Sequence, residues 1–223
     1  MKSLFIPARY IGKVAMNMTM IEKLPKKIGL LATSQFLACL TDIKSQIENS
    51  GREVFIGKSL QGNDGQILGC DVSSSTGIEK NVDAFLYIGS GEFHPRGVAL
   101  KTLKDIFIFN PLTGGFSVLD RKEIETYTRK KRAAYLKFLS SQRIGIIVSL
   151  KHGQNNLIES LELKERMKDK EVFVFIAETI DFLQLGNFPF IECWVNTACP
   201  RIDEDLVCVN LSEILKYTNH KGK

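Results

Sequence analysis

No apolar run in the 223 residues approaches the ~20 needed to cross a membrane. The opening stretch Met1–Pro7 has neither a long apolar core nor a small-residue cleavage site, so a secretory signal is not expected. The reducing cytoplasm is therefore the expected compartment. There is no Cys-x-x-Cys pair, and His152 and His220 have no partner at ligand spacing, which disfavours a four-ligand structural zinc. Cys39, Cys70, Cys193, Cys199 and Cys208 are an odd set, and a disulfide framework suits neither that number nor that compartment. Charge of one sign is also scarce. The 30 Lys and Arg against 25 Asp and Glu leave +5, interleaved along the chain, so no nucleic-acid partner is expected.

What is present is a repeated pattern. Lys27–Thr33 is a basic residue followed by a short apolar run, as in a buried strand, and Arg143–Ser149 repeats it. Each leads through a glutamine, Gln35 or Gln154, into a helix-period segment. Leu37, Leu40, Ile43 and Ile47 mark the first; Leu157, Leu161, Leu163 and Met167 mark the second. A β-rich run follows in each case, 53–56 and 171–176, and then a third apolar run, 83–88 and 191–196. Strands alternating with helices favour parallel pairing through crossovers. The expected fold class is α/β, with two similar units, each a small mostly parallel sheet flanked by helices. The boundary is placed near residue 120, giving units 1–119 and 120–223, the second opened by a long helix over 120–140. The breaker-rich stretch Asn110–Gly115 reads as a loop. Residues 218–223 are expected to fray, and Arg129–Arg132 to form a solvated helix face, with docking of an acidic protein surface as the alternative.

Four stretches interrupt this rhythm. Gly65–Asp71 carries Cys70 after a glycine, free to aim its sulfur at a ligand or to bury it as a structural thiol. Gly89-Ser90-Gly91-Glu92-Phe93-His94-Pro95 is a glycine-rich turn after a strand. Its N–H groups suit a carboxylate or phosphate, although a tight turn explains it as well, and no third glycine completes a dinucleotide fingerprint. His94 could serve as a base or ligand, or fix the loop. Ser149–Gln154 puts Lys151 and Gln154 where a sheet's carboxyl edge meets a helix start, the usual ligand crevice of open α/β sheets. In Trp194–Arg201, Pro200 stops a strand directly after Cys199, and Arg201 offers a fixed fork for a carboxylate. Isolated cysteines on distant loops fit an iron–sulfur cluster better than zinc.

In this order the stretches resemble the archaeal type of the 2-(3-amino-3-carboxypropyl)histidine synthase family, which begins diphthamide synthesis. The matching segments are Gly65–Asp71, Tyr87–Leu100, Ser149–Gln154 and Asn196–Ile202, with Asn110-Pro111 and Asp120-Arg121, over nearly the whole chain. The resemblance implies three similar α/β units, each giving one cysteine to a [4Fe–4S] cluster. S-adenosylmethionine binds the open iron and yields an aminocarboxypropyl radical that adds to a histidine of translation elongation factor 2. On this basis Cys70 and Cys199 match the cluster cysteines of the second and third units. Gly89, Gly91, Lys151, Gln154 and Arg201 are the candidates for holding S-adenosylmethionine. Leu4–Ala8 resembles the strand that closes the first unit, so the expected partner is a chain carrying that unit or a full-length homologue; a homodimer is a further candidate. Phe36 stands where the family pattern has a histidine. Cys39, Cys193 and Cys208 lie outside the motifs and are expected to be small buried residues. A non-catalytic accessory subunit and a truncated homologue remain the alternatives to a synthase component.

Overall fold

The computed structural model describes residue 6 and residues 8–69, 71–199 and 208–218. The chain divides into two compact units, residues 1–124 and 125–223. In the first, helix α1 (Met18–Glu22) precedes β1 (Lys27–Ala32), a 3-10 turn (Ser34–Cys39), α2 (Leu40–Glu48) and β2 (Glu53–Phe55). Then come α3 (Ser73–Thr76), β3 (Ala84–Ile88), α4 (Phe93–Ala99), β4 (Asp105–Asn110) and β5 (Gly115–Val118). Helix α5 (Arg121–Ser140) leads to β6 (Arg143–Ser149), α6 (Leu157–Arg166), β7 (Glu171–Ala177), α7 (Phe182–Leu185), β8 (Cys193–Asn196), β9 (Cys208–Asn210) and α8 (Leu211–Thr218).

The first sheet has the order β2-β1-β3-β4-β5 and the second β7-β6-β8-β9. All pairings are parallel except β4 with β5. This is the α/β fold expected, and the apolar runs are continuous because helices cover both faces of a parallel sheet. Ile28, Leu30 and Ala32 of β1 enter one core cluster and Leu31 the opposite one. In the second unit Ile144, Ile146 and Val148 face one cluster and Ile147 the other.

The internal repeat has a steric meaning. Gly29 lies in register with Phe85, and Gly145 with Trp194. A Cβ at Gly29 would sit 2.6 Å from the Phe85 ring, and one at Gly145 2.4 Å from the indole. In each unit the first strand yields its side-chain space to an aromatic from its neighbour. A carboxylate then fastens the start of the same pair: Lys27 N donates to Asp83 Oδ2 at 3.0 Å, and Gln142 N to Glu192 Oε2 at 2.7 Å.

Two expectations need correction, and a third falls almost wholly outside the described residues. Asn110–Gly115 is not a plain loop but the connection of a β4–β5 hairpin, closed by Asn110 paired with Gly115 and by the stacked rings of Phe107 and Phe116. The basic run is not wholly solvated: Lys131 turns inward and its Nζ lies 3.3 Å from Glu213. The predicted fraying falls on 219–223, outside the described residues, while Thr218 ends α8.

Candidate functional site

In each sheet the chain runs from the first strand to an outer neighbour, then returns to the other side of the first strand. That reversal makes a crevice at the carboxyl ends of the two central strands, where open α/β sheets bind ligands. In unit 1 the crevice lies between the ends of β1 and β3, and in unit 2 between the ends of β6 and β8.

The turn after β3 carries Gly89 and Gly91. A Cβ on Gly89 would fall 2.4 Å from Tyr87 Oη, and Gly91 has φ +67°, so neither position suits a larger residue. Among the described residues no hydrogen bond engages the N–H groups of Ser90, Gly91 and Glu92, all exposed, which leaves them able to meet an anion. Tyr87 is fully buried and donates to Ser90 O at 3.4 Å. Burial pushes its phenol up to about 12 despite a hydrogen bond with Thr33. His94 lies along the Tyr87 ring, 6.2 Å between centroids.

Cys70 and Arg201 lie outside the described residues. The loop that carries Cys70 is anchored on both sides of it. Ala32 N donates to Gly65 O and Ile67 N to Ala32 O, which ties the loop to the end of β1. Asp71, 8% exposed, accepts from Ser59 Oγ and Gln61 N through Oδ2 and from Ser73 N through Oδ1. Burial pushes its carboxyl up, but the hydrogen bonds from Ser73, Ser59 and Gln61 outweigh it and hold the group below its usual range.

In unit 2 two expected loops follow the carboxyl ends of the neighbouring strands β6 and β8. Lys151, exposed, and Gln154, half-buried, form a turn after β6 in which Gln154 N donates to Lys151 O. Cys199 follows β8 and is half-buried with a free thiol. Thr197 binds Ile147 O through both its N–H and its hydroxyl, and Asn156 Nδ2 donates to Thr197 O. Asn196 Nδ2 donates to Cys199 O at 2.7 Å.

The other described cysteines are interior residues. Burial raises the Cys39 thiol, with Asp42 adding to it; burial pushes Cys193 up to about 11 and Cys208 to about 12. Such thiols stay protonated at neutral pH and are poor metal donors. A half-exposed cysteine on a braced loop at a strand end is the donor an iron–sulfur cluster needs, so Cys199 fits such a group and Cys39, Cys193 and Cys208 do not. Phe36, at the histidine position of the family pattern, is fully buried and packs 5.4 Å from the Tyr10 ring. Sequence reading did not single out Asp71, Tyr87, Asn196 or Thr197 as braces. An Asx residue three positions before a cysteine was the one local signal.

Among the described residues no helix is long and apolar enough to cross a membrane. A search of curated proteins finds "2-(3-amino-3-carboxypropyl)histidine synthase" of Pyrococcus horikoshii, 33% identical over 211 residues, covering 91% of this chain and 60% of the relative. The protein of the same name from Methanocaldococcus jannaschii is 30% identical over 221 residues, covering 90% and 56%. The chain thus spans less than two thirds of the length of these relatives. Among solved structures, Dph2 from Pyrococcus horikoshii with a 4Fe-4S cluster superposes with a TM-score of 0.74 at 32% identity, covering 89% of this chain and 58% of that one. The family model described as "Putative diphthamide synthesis protein" matches residues 1–206, and the chain belongs to that family.

Proposed function

We propose that this chain is a component of the enzyme that transfers the 3-amino-3-carboxypropyl group of S-adenosylmethionine to a histidine of elongation factor 2. Cys70 and Cys199 would hold a [4Fe–4S] cluster; when bound, the cluster supplies the electron that opens a carbon–sulfur bond of the cofactor by radical chemistry. The observation that carries this reading is Cys199. It is a free, half-buried cysteine three residues beyond the end of β8, on a segment that Asn156 Nδ2 holds through Thr197 O, unlike the three interior cysteines.

The chain's own residues would bind and orient. Lys151 and Arg201 supply cationic donors for the carboxylate of S-adenosylmethionine, and Gln154 an amide. In unit 1 the open N–H groups around Gly91 suit an anionic group, with Gly89 letting the turn pass Tyr87. Of the three cluster cysteines implied by the family resemblance, two have counterparts here. The cytoplasm, where elongation factor 2 works, is the proposed compartment.

Anaerobic reconstitution with iron and sulfide tests the reading, with and without a full-length homologue. A broad visible absorbance that disappears in the Cys70→Ala, Cys199→Ala double variant is expected. Its absence from the unaltered chain in both arms, or its persistence in the variant, contradicts the assignment.

A further inference from the structure

We infer that Asn196 is a positioning residue that sets how Cys199 is presented, a role resting on the proposed reading of Cys199 as a cluster ligand. Asn196 ends β8, is 1% exposed, and lies in register with Asn210, the last residue of β9. Its carboxamide makes three hydrogen bonds. Nδ2 donates to Cys199 O and to Asn210 Oδ1, each at 2.7 Å, and Oδ1 accepts from Ala198 N at 3.0 Å. The backbone settles the orientation of the amide, since Ala198 N–H can only donate and Cys199 O can only accept.

These bonds tie the N–H of the residue before the cysteine and the carbonyl of the cysteine itself to one buried group. Only an amide meets the demand. A carboxylate would set an oxygen against two acceptor oxygens, and a hydroxyl cannot reach both sides of the turn with two donors. Thr197, locked to Ile147 O, and Asn156, bonded to Thr197 O, hold the segment between. The loop is therefore braced before any ligand arrives. Groups that orient a metal ligand in this way typically alter metal affinity about 10–100-fold when replaced.

The test uses the full chain with Asn196→Asp and Asn196→Ala, and with Cys199→Ser as reference. In the metal-free protein, iodoacetamide labelling of Cys199 is followed by peptide mass spectrometry. After anaerobic reconstitution with iron and sulfide, iron content and the electron paramagnetic resonance spectrum of the reduced protein are recorded. Severalfold faster labelling of Cys199 in both Asn196 variants is expected, with iron retained about 10–100-fold more weakly and a shifted spectrum. Unchanged or slower labelling overturns the inference. So does a wild-type spectrum in the Asn196 variants while Cys199→Ser loses the cluster. If Cys199→Ser keeps iron and spectrum, the ligand assignment fails instead, and labelling alone decides whether Asn196 braces the loop. Asn210→Ala removes one anchor of Asn196 while leaving the sequence of residues 196–199 unchanged. Should the Asn196 variants not fold, it must show the same changes at smaller size, and wild-type behaviour there overturns the inference.

Discussion

Tyr87 in unit 1 and Asn196 in unit 2 occupy the same place. Tyr87 is in register with Leu31 of β1, and Asn196 with Ile147 of β6, each three residues after the pairs Ile28–Ala84 and Ile144–Cys193. Each side chain donates to the main-chain carbonyl three positions on, Ser90 O in one unit and Cys199 O in the other. In this frame the serine of the glycine-rich turn corresponds to the cysteine of the second unit. A tether across the strand-end turn is therefore a property of the repeat. Unit 2 adds the bonds from Ala198 N and to Asn210, which tighten the tether where the turn bears a thiol. Unit 1 braces its own cysteine loop elsewhere, through the ionised Asp71.

The sharpest separation expected is chemical. At pH 8 Cys193 and Cys208 should be alkylated on the order of a hundredfold more slowly in the native chain than in urea, because burial keeps them protonated. Peptide-resolved labelling checks it, and equal rates would remove the distinction between interior and loop cysteines.

Next comes the shared steric device. Gly145→Ala should cost unit 2 about 2–3 kcal/mol by forcing a methyl into the Trp194 ring, and Gly29→Ala should cost unit 1 a similar amount against Phe85. Trp194 is the one tryptophan, so its fluorescence in a urea titration reports unit 2 and should shift for the first variant. If Gly29→Ala moves the fluorescence midpoint equally, the units do not unfold separately.

Asp71→Ala should lower the stability of unit 1 by about 1–2 kcal/mol, since it removes the buried acceptor shared by Ser59 Oγ, Gln61 N and Ser73 N. Far-ultraviolet circular dichroism should register this loss with little change in Trp194 fluorescence.

An effect confined to alkaline pH, and so the smallest near neutrality, concerns Tyr87. Its folded pKa, about 12, exceeds the ordinary 10.0. Its protonated form therefore contributes stability that is complete below pH 10 and is lost as pH rises toward 12. Tyr87→Phe should flatten that part of the alkaline stability profile, and an unchanged slope would assign the loss to other groups.

The strands of both central pairs were legible because their apolar runs are short and each opens on a charged residue, Lys27, Asp83, Arg143 or Glu192. β4 and β5 were not, because Pro111, Gly114 and Gly115 read as punctuation rather than as the tip of a hairpin and the start of a strand. Cys199 could be placed at a strand end from Pro200 alone. Its braces could not be read, since Asn210 and Ile147 reach it only after β9 and β6 pair with β8. Lys131 was read by its neighbours in sequence, whereas Glu213, 82 positions later by the difference of their numbers, decides where it points.

Asp83 and Glu192 fasten the strand pairs at the end opposite the crevice. These two anchors and the proposed chemistry thus sit at opposite poles of each sheet, and a crevice loop can be exchanged without touching Asp83 or Glu192. Retained shape in a distant homologue is for that reason no testimony to retained catalysis; the loops have to be read one by one.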